Sequence, residues 1–244
     1  MGKTDVMGVA FDNITIDEAV ERALALTKAG QGAYVVTPNP EIVMLAQKDP
    51  GYGEVLGGAA LTLPDGIGVI YAAKLLKRPL QGRVPGIDFA SALLGRMAGE
   101  GLKLYLLGAK PGVAEQAAAN LKEKYPGLEI CGTHDGYFTE DGPVVDEIRA
   151  SGANVVFVCL GAPKQETWMA RNGKDTGAGL LVGLGGALDV FAGTVQRAPE
   201  GWQKLGLEWL YRLIKQPSRI GRMIKLPGFL VKAAFWKDKG GAGA

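Results

Sequence analysis

The chain has 244 residues, 47% hydrophobic and 21% charged, with a formal net charge of +2. This is ample apolar material for one α/β domain with an appendage, and it excludes a disordered, fibrous or disulfide-built chain. The small net charge hides an asymmetry: residues 197–239 carry ten Lys or Arg against three Asp or Glu (+7), and the remainder carries 17 against 22 (−5).

Thr15-Ile16-Asp17-Glu18 has the spacing of a capping box, in which the first and fourth side chains satisfy each other's backbone N–H groups, and it predicts a helix to about residue 29. The β-rich run 33–37 predicts a strand stopped by Pro38-Asn39-Pro40, then a helix over 41–48. A second strand over 60–63 ends at Pro64-Asp65-Gly66, before a helix over 67–76. Residues 82–86 form a loop holding Arg83, and 89–97 read as helical. The second half repeats the rhythm: strands over 103–107, 129–133, 155–160 and 180–182 alternate with helices over 113–125, 144–150 and 164–171. Apolar strands alternating with amphipathic helices predict a Rossmann-like α/β core over 1–196, a parallel sheet with helices on both faces. Ligands of such sheets bind beyond the carboxyl ends of the strands. The loops at 37–39, 64–66, 108–112, 161–165 and 183–189 share that rim.

Beyond Pro199 no β-rich run remains. Helices over 205–214, 218–226 and 229–236, broken by Pro217 and Pro227-Gly228, predict a basic, all-helical appendage over 197–239, with 240–244 a disordered tail. Cys131 and Cys159 each lie in an expected strand and read as buried thiols. The N-terminus lacks the apolar stretch of a signal peptide, and no run reaches the roughly 18 apolar residues of a spanning helix. The expectation is a cytoplasmic protein able to lie on a membrane.

The loops narrow the chemistry. Gly183-Leu184-Gly185-Gly186-Ala187-Leu188 fails the G-x-G-x-x-G test at its last position, and no Walker-type loop occurs. His134 is the only histidine, and there is no Asp-x-Asp pair, so no metal and no cofactor is expected. Asp65, on a short turn between Pro64 and Gly66, could accept a proton from an attacking hydroxyl, or could cap the helix that follows. Thr37 and Asn39 could bond sugar hydroxyls, or form an Asx-type turn beside Pro40. Lys164 and Gln165 open a helix after Gly161-Ala162-Pro163 and could meet phosphate or sugar, or be solvated first-turn residues. Tyr137, Gly185 and Asp189 complete the expected substrate-binding set. In the appendage, Lys215, Arg219 and Arg222 fall at helical spacing with Arg212 one turn before. Bulky apolar residues interleave with them, which suits an anionic membrane surface; arginine also suits a diphosphate, and the alternative is a solvated helical face packed on its own domain.

Thr37-Pro38-Asn39-Pro40-Glu41, Leu63-Pro64-Asp65-Gly66, Arg83-Val84-Pro85-Gly86, Gly161-Ala162-Pro163-Lys164-Gln165-Glu166, Gly183-Leu184-Gly185-Gly186, Arg197-Ala198-Pro199 and Leu207-Glu208-Trp209-Leu210-Tyr211-Arg212 occur in this order. Together they resemble the WecG/TagA/CpsF family of bacterial glycosyltransferases over nearly the whole chain, with the wall teichoic acid branch the nearest likeness. The resemblance implies transfer of N-acetylmannosamine from a UDP donor to N-acetylglucosamine on undecaprenyl diphosphate, β-1,4, with inversion and without metal. It makes Asp65 the base, places Thr37, Asn39, Arg83 and Gln165 in the pocket, and gives Arg212, Arg219 and Arg222 to the diphosphate. It also implies a peripheral position on the inner face of the cell membrane. The polar stretch Glu200-Gly201-Trp202-Gln203-Lys204 departs from the family pattern and bears on how the appendage docks or forms a homo-oligomer.

Three other readings compete. A nucleotide-dependent oxidoreductase or methyltransferase would share the sheet but lacks the glycine fingerprint. A non-catalytic sugar-nucleotide or membrane-binding module would share the rim. Nucleic-acid binding by the tail is disfavoured, because its basic residues are interleaved with apolar ones rather than spread over a stacking platform.

Overall fold

The structure, a computed structural model, describes residues 2–199, 201–202, 208–215 and 225–236. Residues 3–12 form a hairpin that the hydrophobic pattern does not announce: β1 (Lys3–Val6) pairs antiparallel with β2 (Val9–Asp12). Its turn is Met7-Gly8, at φ 58° and 89°, the left-handed pair a two-residue hairpin needs. Asn-Gly would have marked such a turn. Met stands there because its side chain is fully buried.

The remaining strands form one parallel sheet. They are β3 (Ala33–Val36), β4 (Leu61–Thr62), β5 (Lys103–Gly108), β6 (Glu129–His134), β7 (Val155–Cys159) and β8 (Leu180–Gly183), in the order β4-β3-β8-β7-β5-β6. Every residue of β7 and β8 is buried, as expected where helices cover both faces. The expected α/β parallel-sheet core is therefore present. One face packs α1 (Ile16–Ala29), α5 (Gly86–Glu100) and α6 (Val113–Lys124); the other packs the hairpin with α2 (Pro40–Lys48), α3 (Pro50–Gly57), α4 (Ile67–Leu75), α7 (Asp141–Ser151) and α8 (Lys164–Asn172). A short helix, α9 (Ala187–Phe191), follows β8.

Local signals explain most boundaries. The capping box of α1 is formed both ways: Glu18 N donates to Thr15 Oγ1 at 3.3 Å and Thr15 N to Glu18 Oε2 at 2.7 Å. α5 is longer than the expected 89–97, because Pro85 fits its N-cap and Gly101 closes it in the left-handed conformation. α3 was not expected. Two of its eight residues besides Pro50 and Gly57 are Gly51 and Gly53, which blunt the helical pattern, while Asp49 caps it through Tyr52 N at 3.2 Å. β4 keeps only two of its four expected residues.

The appendage is described in part. Glu208–Lys215 and Lys225–Ala234 are helical, whereas the expected helix over 218–226 falls mostly outside the described residues. Lys225–Ala234 packs on α2 and α4, and its Phe229 and Ala233 are 0% and 1% exposed within the same apolar cluster as the hairpin. Gly68 permits the close approach. A Cβ there would sit 2.5 Å from Leu226 Cδ1 and 2.6 Å from Pro40 Cγ. Among the described residues, no helix is long and apolar enough to cross a membrane.

Candidate active site

Strand ends define the site. A cavity of about 290 Å³ opens over the carboxyl ends of β3, β4, β7 and β8, lined by Thr37, Asn39, Asp65, Gly161, Gln165, Gly185 and Asp189, among others. This is where a parallel sheet binds ligands. Six of the expected site residues, scattered from 37 to 189 in sequence, thus meet around one opening.

Asp65 is held by backbone on both sides. Its N–H donates to Pro38 O at 3.2 Å, and Val84 N donates to Pro64 O at 2.9 Å. Gly66 adopts φ 94°, a conformation that a side chain would strain. Gly66, not Asp65, occupies the N-cap of α4, and no side chain caps that helix. The capping alternative for Asp65 is therefore not realised, and its half-buried carboxylate lines the cavity.

The neighbours do structural work as well. Thr37 is 7% exposed, and its hydroxyl donates to Gly183 O at 2.9 Å, tying the end of β3 to the end of β8. Asn39 is the N-cap of α2: its Oδ1 accepts from Glu41 N and Ile42 N at 2.9 and 3.1 Å. The turn reading of Asn39 thus holds, and the same residue also lines the cavity. Gln165 is 2% exposed rather than a solvated first-turn residue. Its Oε1 accepts from Gly185 N at 2.9 Å and its Nε2 donates to Glu166 Oε1 at 2.7 Å.

Three expected residues stand apart from the described lining. Lys164 is exposed; its Nζ donates to Gly136 O at 3.0 Å and lies 4.4 Å above the Phe138 ring. Tyr137 is 70% exposed, with its N–H bonded to Asp135 Oδ1 at 2.7 Å. Arg83 pairs with Glu208 at 3.3 Å. Glu208 Oε1 also lies 3.5 Å from Arg197 Nε, and Arg197 grips Asp88 through both terminal nitrogens, at 2.5 and 2.9 Å. Burial works against the Arg197 charge, but Asp88 and then Glu208 outweigh it and hold its pKa above the ordinary guanidinium value. This network joins the loop before α5, α5 itself and the Glu208–Lys215 helix. That helix also carries Tyr211, which lines the cavity and meets Trp202 edge-on at 5.8 Å.

Arg212 lies on the same helix. Arg219 and Arg222 lie outside the described residues. His134 sits at the end of β6, its Nδ1 2.8 Å from Asp135 O. Among the described residues, no three His, Cys, Asp or Glu side chains cluster as metal ligands. Cys159 is buried and its thiol is pushed up to about 12 by desolvation; Cys131 is half-buried and donates to Leu104 O at 3.3 Å.

Sequence reasoning missed Glu41, Tyr211 and Gln196 on the cavity wall and Glu166 behind it. Glu41 and Glu166 stood inside the motifs already noted, adjacent to Pro40 and Gln165. Tyr211 had no local signal, because its helix reaches the cavity only through tertiary packing.

A sequence model of the family described as Glycosyl transferase WecG/TagA/CpsF matches residues 4–242. The chain is 36% identical over 239 residues to an N-acetylglucosaminyldiphosphoundecaprenol N-acetyl-beta-D-mannosaminyltransferase of Staphylococcus aureus, covering 97% of this chain and 94% of that protein. It is 40% identical over 200 residues to the protein of the same name from Bacillus spizizenii, covering 82% of this chain and 78% of that one.

Proposed function

Since the chain belongs to the WecG/TagA/CpsF family of glycosyl transferases, we propose that it passes N-acetylmannosamine from UDP to N-acetylglucosamine carried on undecaprenyl diphosphate. The observation that carries the reading is Asp65, fixed by its own backbone at the mouth of a cavity built from four strand ends.

That placement supports a single displacement. The acceptor's 4-hydroxyl oxygen attacks C1 of the donor sugar. The C1–O bond to the diphosphate breaks, and its electron pair leaves with UDP. Asp65 takes the hydroxyl proton. Attack from the side opposite UDP inverts C1 and gives the β-1,4 link. Thr37, Asn39 and Gln165 orient the donor, with Gly185 and Asp189 beside it. Arg83, Lys164 and Tyr137 complete the substrate contacts once ligand is bound. No metal is invoked. The charge developing on UDP is met by guanidinium groups of the appendage, Arg212, Arg219 and Arg222, which suit phosphate because the fork is planar and bidentate.

The acceptor's lipid places the enzyme on the inner face of the cell membrane in this reading. The +7 balance of 197–239 favours an anionic surface. Val231 and Phe235, 58% and 81% exposed beside Lys232, offer it apolar contacts. The network at Glu208 and the helix bearing Tyr211 support an appendage that covers the donor and excludes water.

The test is direct. The protein is incubated with UDP-N-acetylmannosamine and a lipid-linked N-acetylglucosamine analogue, with and without chelator, and both UDP release and the disaccharide product are followed. Acceptor-dependent release that survives chelation is expected. Release without disaccharide would overturn the transferase reading, and loss in chelator would overturn its metal independence.

A further inference from the structure

Behind the cavity wall lies a carboxyl group that the mechanism does not use. Glu166 is fully buried, on the first turn of α8, and its Oε1 accepts the hydrogen bond from Gln165 Nε2. Its Oε2 is buried without a hydrogen-bond partner. The hydroxyl of Tyr52, from α3, is likewise buried without a hydrogen bond of normal geometry, and its pKa is pushed up by burial first and then by Glu166. Burial drives the Glu166 carboxyl above its ordinary pKa, and the bond from Gln165 offsets only part of that.

A buried acceptor at this place has a geometric consequence. The Gln165 amide has two ends, and the protein uses them oppositely: Oε1 receives Gly185 N–H and Nε2 gives to Glu166. The Glu166 oxygen that faces the amide, Oε1, serves it as an acceptor. Rotating the amide by half a turn would set oxygen against oxygen at Glu166 and two N–H donors against each other at Gly185. We propose that Glu166 is a positioning residue: it locks the Gln165 amide so that its oxygen holds the Gly185 N–H, and thereby fixes the 184–186 loop that forms one wall of the donor site. This rests on the sugar-nucleotide reading of that cavity. It differs from a role in the transfer itself, because Glu166 touches no substrate.

The chain from Glu166 to the ligand therefore runs through one amide and one backbone N–H. Its loss weakens donor binding more than it slows a bound complex.

The experiment measures UDP and UDP-sugar affinity by calorimetry, together with KM and kcat, for the full-length protein and three variants. Glu166→Met removes the acceptor at similar volume, and the Kd for UDP rises about tenfold while kcat changes little. Glu166→Asp retracts the acceptor by one methylene and shows the same direction; it is the variant read if the Met variant does not fold. Glu166→Gln restores an acceptor oxygen and brings the Kd back to within about twofold of wild type. A double variant with Gln165→Met binds no more weakly than Gln165→Met alone, since both act through one amide. Wild-type affinity in the Met and Asp variants would overturn the proposal, as would a Gln variant as weak as the Met variant. Failure of the wild-type protein to bind UDP at all would instead remove the sugar-nucleotide reading beneath it.

Discussion

The docking of the last described helix can be tested by one substitution. Phe229 is 0% exposed on Lys225–Ala234, set against α2 and α4. Phe229→Ala removes a fully buried ring, and such truncations cost about 3–5 kcal/mol. At about 2–4 °C per kcal/mol for a chain of this size, the melting midpoint falls by about 6–20 °C. If the helix undocks before the core melts, the loss appears first as trypsin cleavage at Lys232, because only the docked state protects that segment. Phe235→Ala is the internal control. That side chain is 81% exposed, and its removal moves the midpoint by less than about 2 °C. Thermal unfolding and limited proteolysis on the same preparations read both effects. A Phe229→Ala midpoint and cleavage pattern equal to wild type would refute the packing. The same geometry bears on a chain truncated after Gln196. Such a truncation strips Phe229 and Ala233 from the apolar cluster they share with the hairpin, and it loses stability as well as turnover.

Other predictions concern the site. Asp65→Asn lowers kcat by about 10²–10⁴-fold while UDP affinity stays near wild type, and undiminished turnover would remove Asp65 as the base. Glu208→Gln leaves Arg83 and Arg197 without their shared carboxylate, and unfolding by urea shows a loss of about 1–3 kcal/mol; a midpoint matching wild type would show the network to be energetically idle. Glu166 gives a pH dependence with a definite sign. Its folded-state pKa is raised above the ordinary 4.5, so between that value and the raised one the native state holds more protons than the unfolded chain. Wild-type stability therefore falls relative to Glu166→Gln as pH rises through this window, and parallel stability curves would exclude the burial effect.

The parallel sheet and the rim were legible because they rest on strong local signals: apolar runs, glycine and proline punctuation, and one capping box. The hairpin was not, because Met7 hides a turn that its left-handed backbone defines. Asp65 was legible as a turn residue, but that Gly66 takes the N-cap of α4 while Asp65 lines the cavity emerges only from the assembled fold. Gln165 was named for a substrate role, yet its burial and its bond to Glu166 depend on how α8 sits against β8, which no local pattern encodes. Arg83 was expected at the pocket, and its partner Glu208 is 125 positions away. Such long-range pairings are set by the assembled fold.

The position of β8 has a consequence for biosynthesis. It comes last among the sheet strands in sequence yet lies in the middle, with β3 on one side and β7 on the other. Until residues 180–183 leave the ribosome, the nascent chain can build only two half-sheets with an empty slot between them. Filling the slot completes both ladders at once and brings Thr37 to Gly183, 146 positions downstream. An interrupted translation product therefore leaves the candidate site unassembled, and it presents two raw inner edges that chaperones would have to shield.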